Sequence, residues 1–261
     1  MFQRGVQRGS DGRYTVPLPK NADILPNLGE SREIAYRRLL GTERRLARDE
    51  NLRKQYVAFM EEYLMLGHMR KIEGADEESR KRCFLPHHPV VKEASTTTKV
   101  RVVFDASCKT SPGVSLNDAL LVGPVVQEDL RSIILQSRTK QILLVSDVEK
   151  MFRQILTTSE DRPSQSILYR FSPDKEVTVF ELNTVTYGTK PAPFLATRTL
   201  QQLAAVEETN FPLAARAIRE DVYMDEVITG TDDVSTATCL RNQLSENPRK
   251  IWQYWIPLEL I

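Results

Sequence analysis

The chain has 261 residues, enough for one large domain or two modest ones with a hydrophobic core. Hydrophobic residues make up 41% and charged residues 27%, which excludes a disordered chain, and a net charge of +1 excludes a uniformly basic nucleic-acid-binding surface, so any such surface is a local patch. Cys83, Cys108 and Cys239 are odd in number and far apart, without metal-ligand spacing, which argues against a disulfide framework and fits a reducing compartment. The start, Met1–Ser10, is polar and basic and does not read as a signal peptide, and no apolar run is long enough for a membrane span, so the default expectation is cytoplasmic with no membrane partner.

Residues 1–30 are punctuated by Pro17, Pro19 and Pro26, with one short edge strand at Arg13–Val16. Ser31 is placed to cap a helix carrying Ile34, Leu39 and Leu40. After Asp49, the residues Leu52, Tyr56, Phe59, Met60, Tyr63 and Leu64 recur at helical spacing and define one apolar face, with Gly67 as its end. Residues 73–82 form a charged connection, and Val100–Phe104 is a β-branched strand. Gln127–Gln136 reads as a short helix. Ile142–Val145 is continuously apolar, which predicts a strand covered on both faces. Ser166–Phe171 and Glu176–Leu182 predict a hairpin around Ser172–Lys175. Pro193–Val206 and Pro212–Glu220 predict helices with a proline in the first turn. Val222–Met224 and Val227–Thr229 predict two strands joined by a tight turn with Asp225 and Glu226 at its tip. Strands and helices interleave without a strict βαβ repeat, which predicts an α+β class.

Three features carry chemistry. Asp147 follows the apolar run Ile142–Val145; alone it reads as the N-cap of a following helix. The Asp225–Glu226 tip alone reads as a solvated turn. Together they provide carboxylates on two rigid elements, the arrangement that phosphoryl transfer with divalent cations needs. Between them lies Thr186–Pro193, a glycine- and proline-punctuated turn opening a helix, which reads either as an ordinary loop or as a platform for a base and template strand. The adjacent pair His87–His88 invites a metal reading, but neighbours on a strand point to opposite faces and no partner ligands lie nearby, so it is set aside.

The order and wording of these segments resemble reverse transcriptases, and the BEL/Pao retrotransposon family in particular. Leu143–Ile155 resembles that family's first catalytic block, and Val185–Thr189 with Pro193–Ala196 its second. Tyr223-Met224-Asp225-Glu226 sits where the family has a tyrosine, any residue and two aspartates. Phe84–Lys92, Lys99–Ser107 and Ser115–Asp118 resemble its fingers region, and the likeness runs over roughly residues 11–246.

The resemblance implies a right-hand polymerase-like fold with fingers at 83–140 and a palm at 141–246, an antiparallel palm sheet backed by helices, after an irregular then helical extension at 1–82. It implies Asp147, Asp225 and Glu226 as catalytic metal ligands for Mg²⁺ or Mn²⁺. Lys92 and Arg101 would face the incoming triphosphate, Phe152 the sugar, and Tyr187 and Gly188 the base. For Lys92 and Arg101 the alternative is a solvated strand charge, and for Phe152 core packing. The implied partners are an RNA or DNA template-primer and a dNTP, with binding centred on Lys92, Arg101, Arg153 and Lys190. Two departures stand out: Glu226 replaces the second aspartate, and the tail at 247–261 does not resemble the family, so that the thumb is missing. The expectation is a fragment with absent or strongly impaired activity and a poorly packed tail rich in apolar residues such as Trp252 and Trp255. The alternatives are a domesticated non-catalytic module that binds nucleic acid or protein, or a gene relic without function.

Overall fold

The computed structural model describes residues 2–73, 81–91 and 100–249 and the backbone of Glu259–Leu260. The expectations for Lys92, for most of the charged connection and for Trp252 and Trp255 therefore lie outside the described residues. The strands, in chain order, are β1 (Gln7–Arg8), β2 (Tyr14–Val16), β3 (Met69–Lys71), β4 (His87–Val91), β5 (Val100–Phe104), β6 (Ile142–Asp147), β7 (Leu156–Thr157), β8 (Ser166–Tyr169), β9 (Thr178–Leu182), β10 (Val222–Tyr223), β11 (Glu226–Thr231) and β12 (Glu259–Leu260). The described strand pairs are antiparallel and the elements mix helices with small sheets, as expected of an α+β chain. Among the described residues no helix is long and apolar enough to cross a membrane.

The chain forms two compact units, each assembled from separated stretches. The first comprises residues 1–4, 17–122 and 156–192. Its Glu50–Met65 helix starts where the sequence predicts, with the Asp49 carboxylate accepting the Leu52 N–H at 2.9 Å. Leu52, Tyr56, Met60 and Tyr63 are buried from it, while Leu64 is exposed because it falls off the apolar stripe. The Arg32–Leu46 helix also begins after Ser31, but the Ser31 hydroxyl does not cap it and instead accepts the Phe84 N–H at 2.9 Å. Here a distant backbone donor outcompetes the local one. The predicted hairpin forms between β8 and β9, each shorter than the apolar run that announced it.

Within this unit, His87 is fully enclosed. Its Nδ1 lies against the Tyr56 hydroxyl and its Nε2 is 2.9 Å from the Leu168 carbonyl. A carbonyl only accepts, so Nε2 carries the proton and Nδ1 accepts from Tyr56. Burial pushes the imidazole down to about 4, so the ring is neutral. This hydrogen-bonded core role accounts for His87 without a metal.

The second unit comprises residues 5–16, 123–155 and 193–261. Its sheet has the order β10-β11-β6-β12, with β6 and β11 paired over six residues from Glu226 opposite Asp147 to Thr231 opposite Ile142. Leu144, Ser146, Val227 and Thr229 alternate onto one buried face. The Leu130–Ser137, Pro212–Glu220 and Val234–Arg249 helices pack against this sheet. The Thr229 hydroxyl donates to the Asp221 carboxylate at 2.6 Å, fixing the end of the Pro212–Glu220 helix. The expectation that Ile142–Val145 is covered on both faces is corrected. Leu144 is buried but Ile142, Leu143 and Val145 are only half-buried, because β6 belongs to an antiparallel sheet with one covered face. The Gln127–Gln136 helix is shorter than expected and starts at Leu130, since Asp129 caps it by accepting the Ser132 N–H. The Val234–Arg249 helix runs past position 247, and Glu259–Leu260 pair with Val145 and Leu144 of β6, so the described backbone of the tail adds a strand to the sheet.

Candidate active site: the carboxylate end of the β6–β11 ladder

The site is built by one strand end and one turn. β6 ends at Asp147. β10 and β11 are joined by Met224-Asp225, with Tyr223 paired to Glu226 across the turn. Met224 takes φ 57°, the left-handed region that side chains disfavour. A left-handed first residue is what lets a two-residue turn follow the twist of its strands. The Met224 N–H donates to the Gln127 Oε1 at 3.1 Å, which holds the turn from outside. The predicted tip is thus displaced by one residue: Asp225 lies in the turn and Glu226 opens β11. The Val148 N–H donates to the Asp225 carbonyl at 2.7 Å, tying the turn to the residue after Asp147.

Pairing across the ladder puts Glu226 directly opposite Asp147, on the same face of the sheet. Asp225 and Glu226 are exposed, whereas Asp147 is half-buried. Burial first, then the negative charges of Asp225, Glu226 and Glu149, raise the Asp147 carboxyl above its usual range. Asp147 does not cap an α-helix. It is followed by a turn in which Lys150 takes φ 51° and by a 3₁₀ turn at Met151–Gln154. Phe152 sits half-buried on that turn. The Arg13 guanidinium donates to the Arg153 and Gln154 carbonyls at 2.9 and 3.1 Å, anchoring the same segment to the N-terminal hairpin of its unit.

The donor set is all carboxylate, which suits a hard divalent cation, and the negative charges of Asp225, Glu226 and Glu149, after burial, contribute to raising the Asp147 carboxyl. Among the described residues no three His, Cys, Asp or Glu side chains are arranged to hold a metal ion by themselves. Mg²⁺ is commonly held by one or two carboxylates with substrate phosphates supplying further oxygens, so the donors fit that kind of site and not a closed protein cage.

The remaining candidates belong to the first unit. Arg101 is exposed on β5. The Tyr187 hydroxyl donates to the Val102 carbonyl at 2.6 Å, and its ring lies 5.7 Å from that of Phe104. Gly188 takes φ 95°, and a Cβ there would stand 2.8 Å from the Phe104 carbonyl oxygen. Asn117 clamps the turn, donating to the Gly188 carbonyl at 3.0 Å and accepting the Lys190 N–H at 2.7 Å. Asn117 is itself held in the Leu116–Ala119 turn by a Ser115–Asp118 capping box. The clamping roles of Asn117 and Gln127 escape the sequence reading. The Ser-x-x-Asp spacing around Asn117 was a usable signal for the first, and nothing local signals the second.

No protein-family model and no curated protein matches the chain. Solved structures do. The fold is that of reverse-transcriptase structures. The foamy viral protease–reverse transcriptase in complex with double-stranded DNA aligns with a TM-score of 0.54 and 18% identity, over 76% of this chain and 30% of that one. The prototype foamy virus protease–reverse transcriptase aligns with a TM-score of 0.54 and 14% identity, over 81% of this chain and 24% of that one. The chain thus spans less than a third of the proteins whose fold it shares.

Proposed function

We propose that the chain is the fingers-and-palm portion of a BEL/Pao-type reverse transcriptase, an RNA-directed DNA polymerase extending a primer on an RNA or DNA template. The observation that carries this reading is the meeting of Asp147, Asp225 and Glu226 at one end of an antiparallel ladder. The ordered motifs that resemble the BEL/Pao family support the subtype, and the DNA duplex bound by the foamy viral neighbour supports the partner class. Asp147 and Asp225, with Glu226, would hold Mg²⁺ or Mn²⁺, which would supply charge neutralisation for the triphosphate and activation of the primer 3′ hydroxyl. By the same resemblance, Arg101 and Lys92 would pair with the triphosphate, since a guanidinium fork pairs well with phosphate oxygens. Phe152 packs under the sugar, and Tyr187 and Gly188 form the base-side platform. Fingers at 83–140 and a palm at 141–246 follow from the same reading.

Glu226 makes this a strongly impaired enzyme. The extra methylene displaces a carboxylate by about 1.5 Å, and misplacement on that scale costs about 100-fold in rate. The test is primer extension on an RNA template with Mg²⁺ and with Mn²⁺. Weak extension that Asp147→Asn abolishes is expected. Extension unaltered by Asp147→Asn overturns the polymerase reading, and robust extension by the unmodified chain overturns the impairment. A second reading, a domesticated binding module, is favoured by the same Glu226. Nucleic-acid binding with no extension even after Glu226→Asp would select it.

A further inference from the structure

The solvent side of the Arg32–Leu46 helix combines two unfavourable features at one place. Ala35, Leu39, Thr42 and Leu46 face the core. On the exposed side Gly41 has Arg37 and Arg38 one turn before it and Arg44 and Arg45 one turn after, its neighbours on a helical surface. All four arginines are exposed. Like charges at that spacing repel, and glycine is a poor residue for a helix interior. Among the described residues nothing asks for glycine there: its φ is not left-handed, and an added Cβ would meet nothing within 4 Å. Nor does the helix neutralise the patch. Glu43 is committed to Arg170 through two hydrogen bonds of 2.7 Å, and among the described residues Glu33 pairs with Arg37, at 3.4 Å. Arg45 donates to the Pro89 carbonyl, and among the described residues no carboxylate pairs with Arg38 or Arg44. In a chain of net charge +1 this is a concentrated positive surface with a bare strip through its middle.

We infer that this face grips the sugar–phosphate backbone of a nucleic-acid duplex, one strand lying along Gly41 between the Arg37/Arg44 and Arg38/Arg45 rows. The missing Cβ admits the strand close to the helix, and the guanidinium forks bind its phosphate oxygens. The choice of an RNA–DNA hybrid as the duplex rests on the polymerase reading; the anion-binding surface does not. Its residues belong to the first unit, and those of the carboxylate site to the second.

The experiment is fluorescence anisotropy with a labelled RNA–DNA hybrid across a salt series, on the full chain, with Tm measured in parallel. Replacing Arg37, Arg38, Arg44 and Arg45 together by Gln should make the negative slope of log K against log salt shallower by about 3–4, at about 0.9 per lost phosphate contact. Gly41→Leu should weaken binding severalfold while leaving Tm unchanged or raised, and Arg44→Glu provides a single-site check should the fourfold variant fail to fold. A wild-type slope in the folded variants overturns the inference, as does binding through this face to single strands alone or to vesicles of anionic lipid instead of the hybrid. Primer extension on the same preparations separates the two readings. Weak extension that Asp147→Asn abolishes, with an unchanged slope, removes this inference alone, and face-dependent hybrid binding with no extension even after Glu226→Asp removes the polymerase reading alone.

Discussion

Glu226, the first residue of β11, stands directly across the ladder from Asp147, the last residue of β6, while the Asp225 carbonyl accepts the N–H of Val148, the residue just past β6. Two segments far apart in the chain are thereby locked in one register, with three carboxylates at its open end.

The first prediction follows from the raised Asp147 carboxyl. A carboxyl whose folded pKa lies above its unfolded value binds more protons in the folded state. Stability therefore rises as pH falls through that window, and the ionised group opposes folding above it. Asp147→Asn should raise Tm at neutral pH without divalent cations, and the gain should vanish below the unfolded carboxylate pKa. Excess Mg²⁺ should raise the Tm of the wild type and not of the variant, since only a protein that binds the ion gains from it. Scanning calorimetry across pH, with and without Mg²⁺, gives both answers.

Shortening Glu226 to Asp should bring its carboxylate back toward the strand end. Single-turnover nucleotide addition on a bound primer-template should rise between about 10- and 100-fold. An unchanged rate in the Glu226→Asp form would mean that position 226 has no part in the chemistry.

Tyr56 and His87 supply a third test. Tyr56→Phe removes the donor that satisfies the buried His87 Nδ1, and leaving that atom unpaired should cost about 1–3 kcal/mol in urea unfolding. His87 also makes the fold acid-labile. With its folded pKa near 4, the unfolded chain binds a proton that the folded one refuses. Stability should therefore be constant above about pH 6.5 and fall as pH drops toward 4, by about 3 kcal/mol for the depressed histidine. Flat stability over that interval would contradict the buried neutral ring.

Gly188 is the backbone test of the platform turn. Its φ of 95° and the 2.8 Å approach of a Cβ to the Phe104 carbonyl oxygen leave no room for a side chain. Gly188→Ala should destabilise by about 1–3 kcal/mol through strain alone. Gly67→Ala, at φ 70° but with nothing within 4 Å, should cost less. Equal losses in denaturant titrations would show that the carbonyl contact is unimportant.

Local chemistry made much of this chain legible from its sequence. The helical stripe from Leu52 to Tyr63, the Asp49 cap, the β8–β9 hairpin and the prolines of two helix starts each depend on neighbours within a few residues. The acids at 147, 225 and 226 were also readable, as residues at strand ends. Only the tertiary structure decided which of them face each other, because register between distant strands is set by the buried set they share, here Leu144 and Ser146 against Thr229 and Val227. It likewise decided that β6 has one covered face, that Ser31 serves Phe84 and not its own helix, and that Gln127 holds the Met224 turn. Each of these is a choice among partners equally available to the local sequence, and long-range packing makes it by leaving one donor or acceptor within reach.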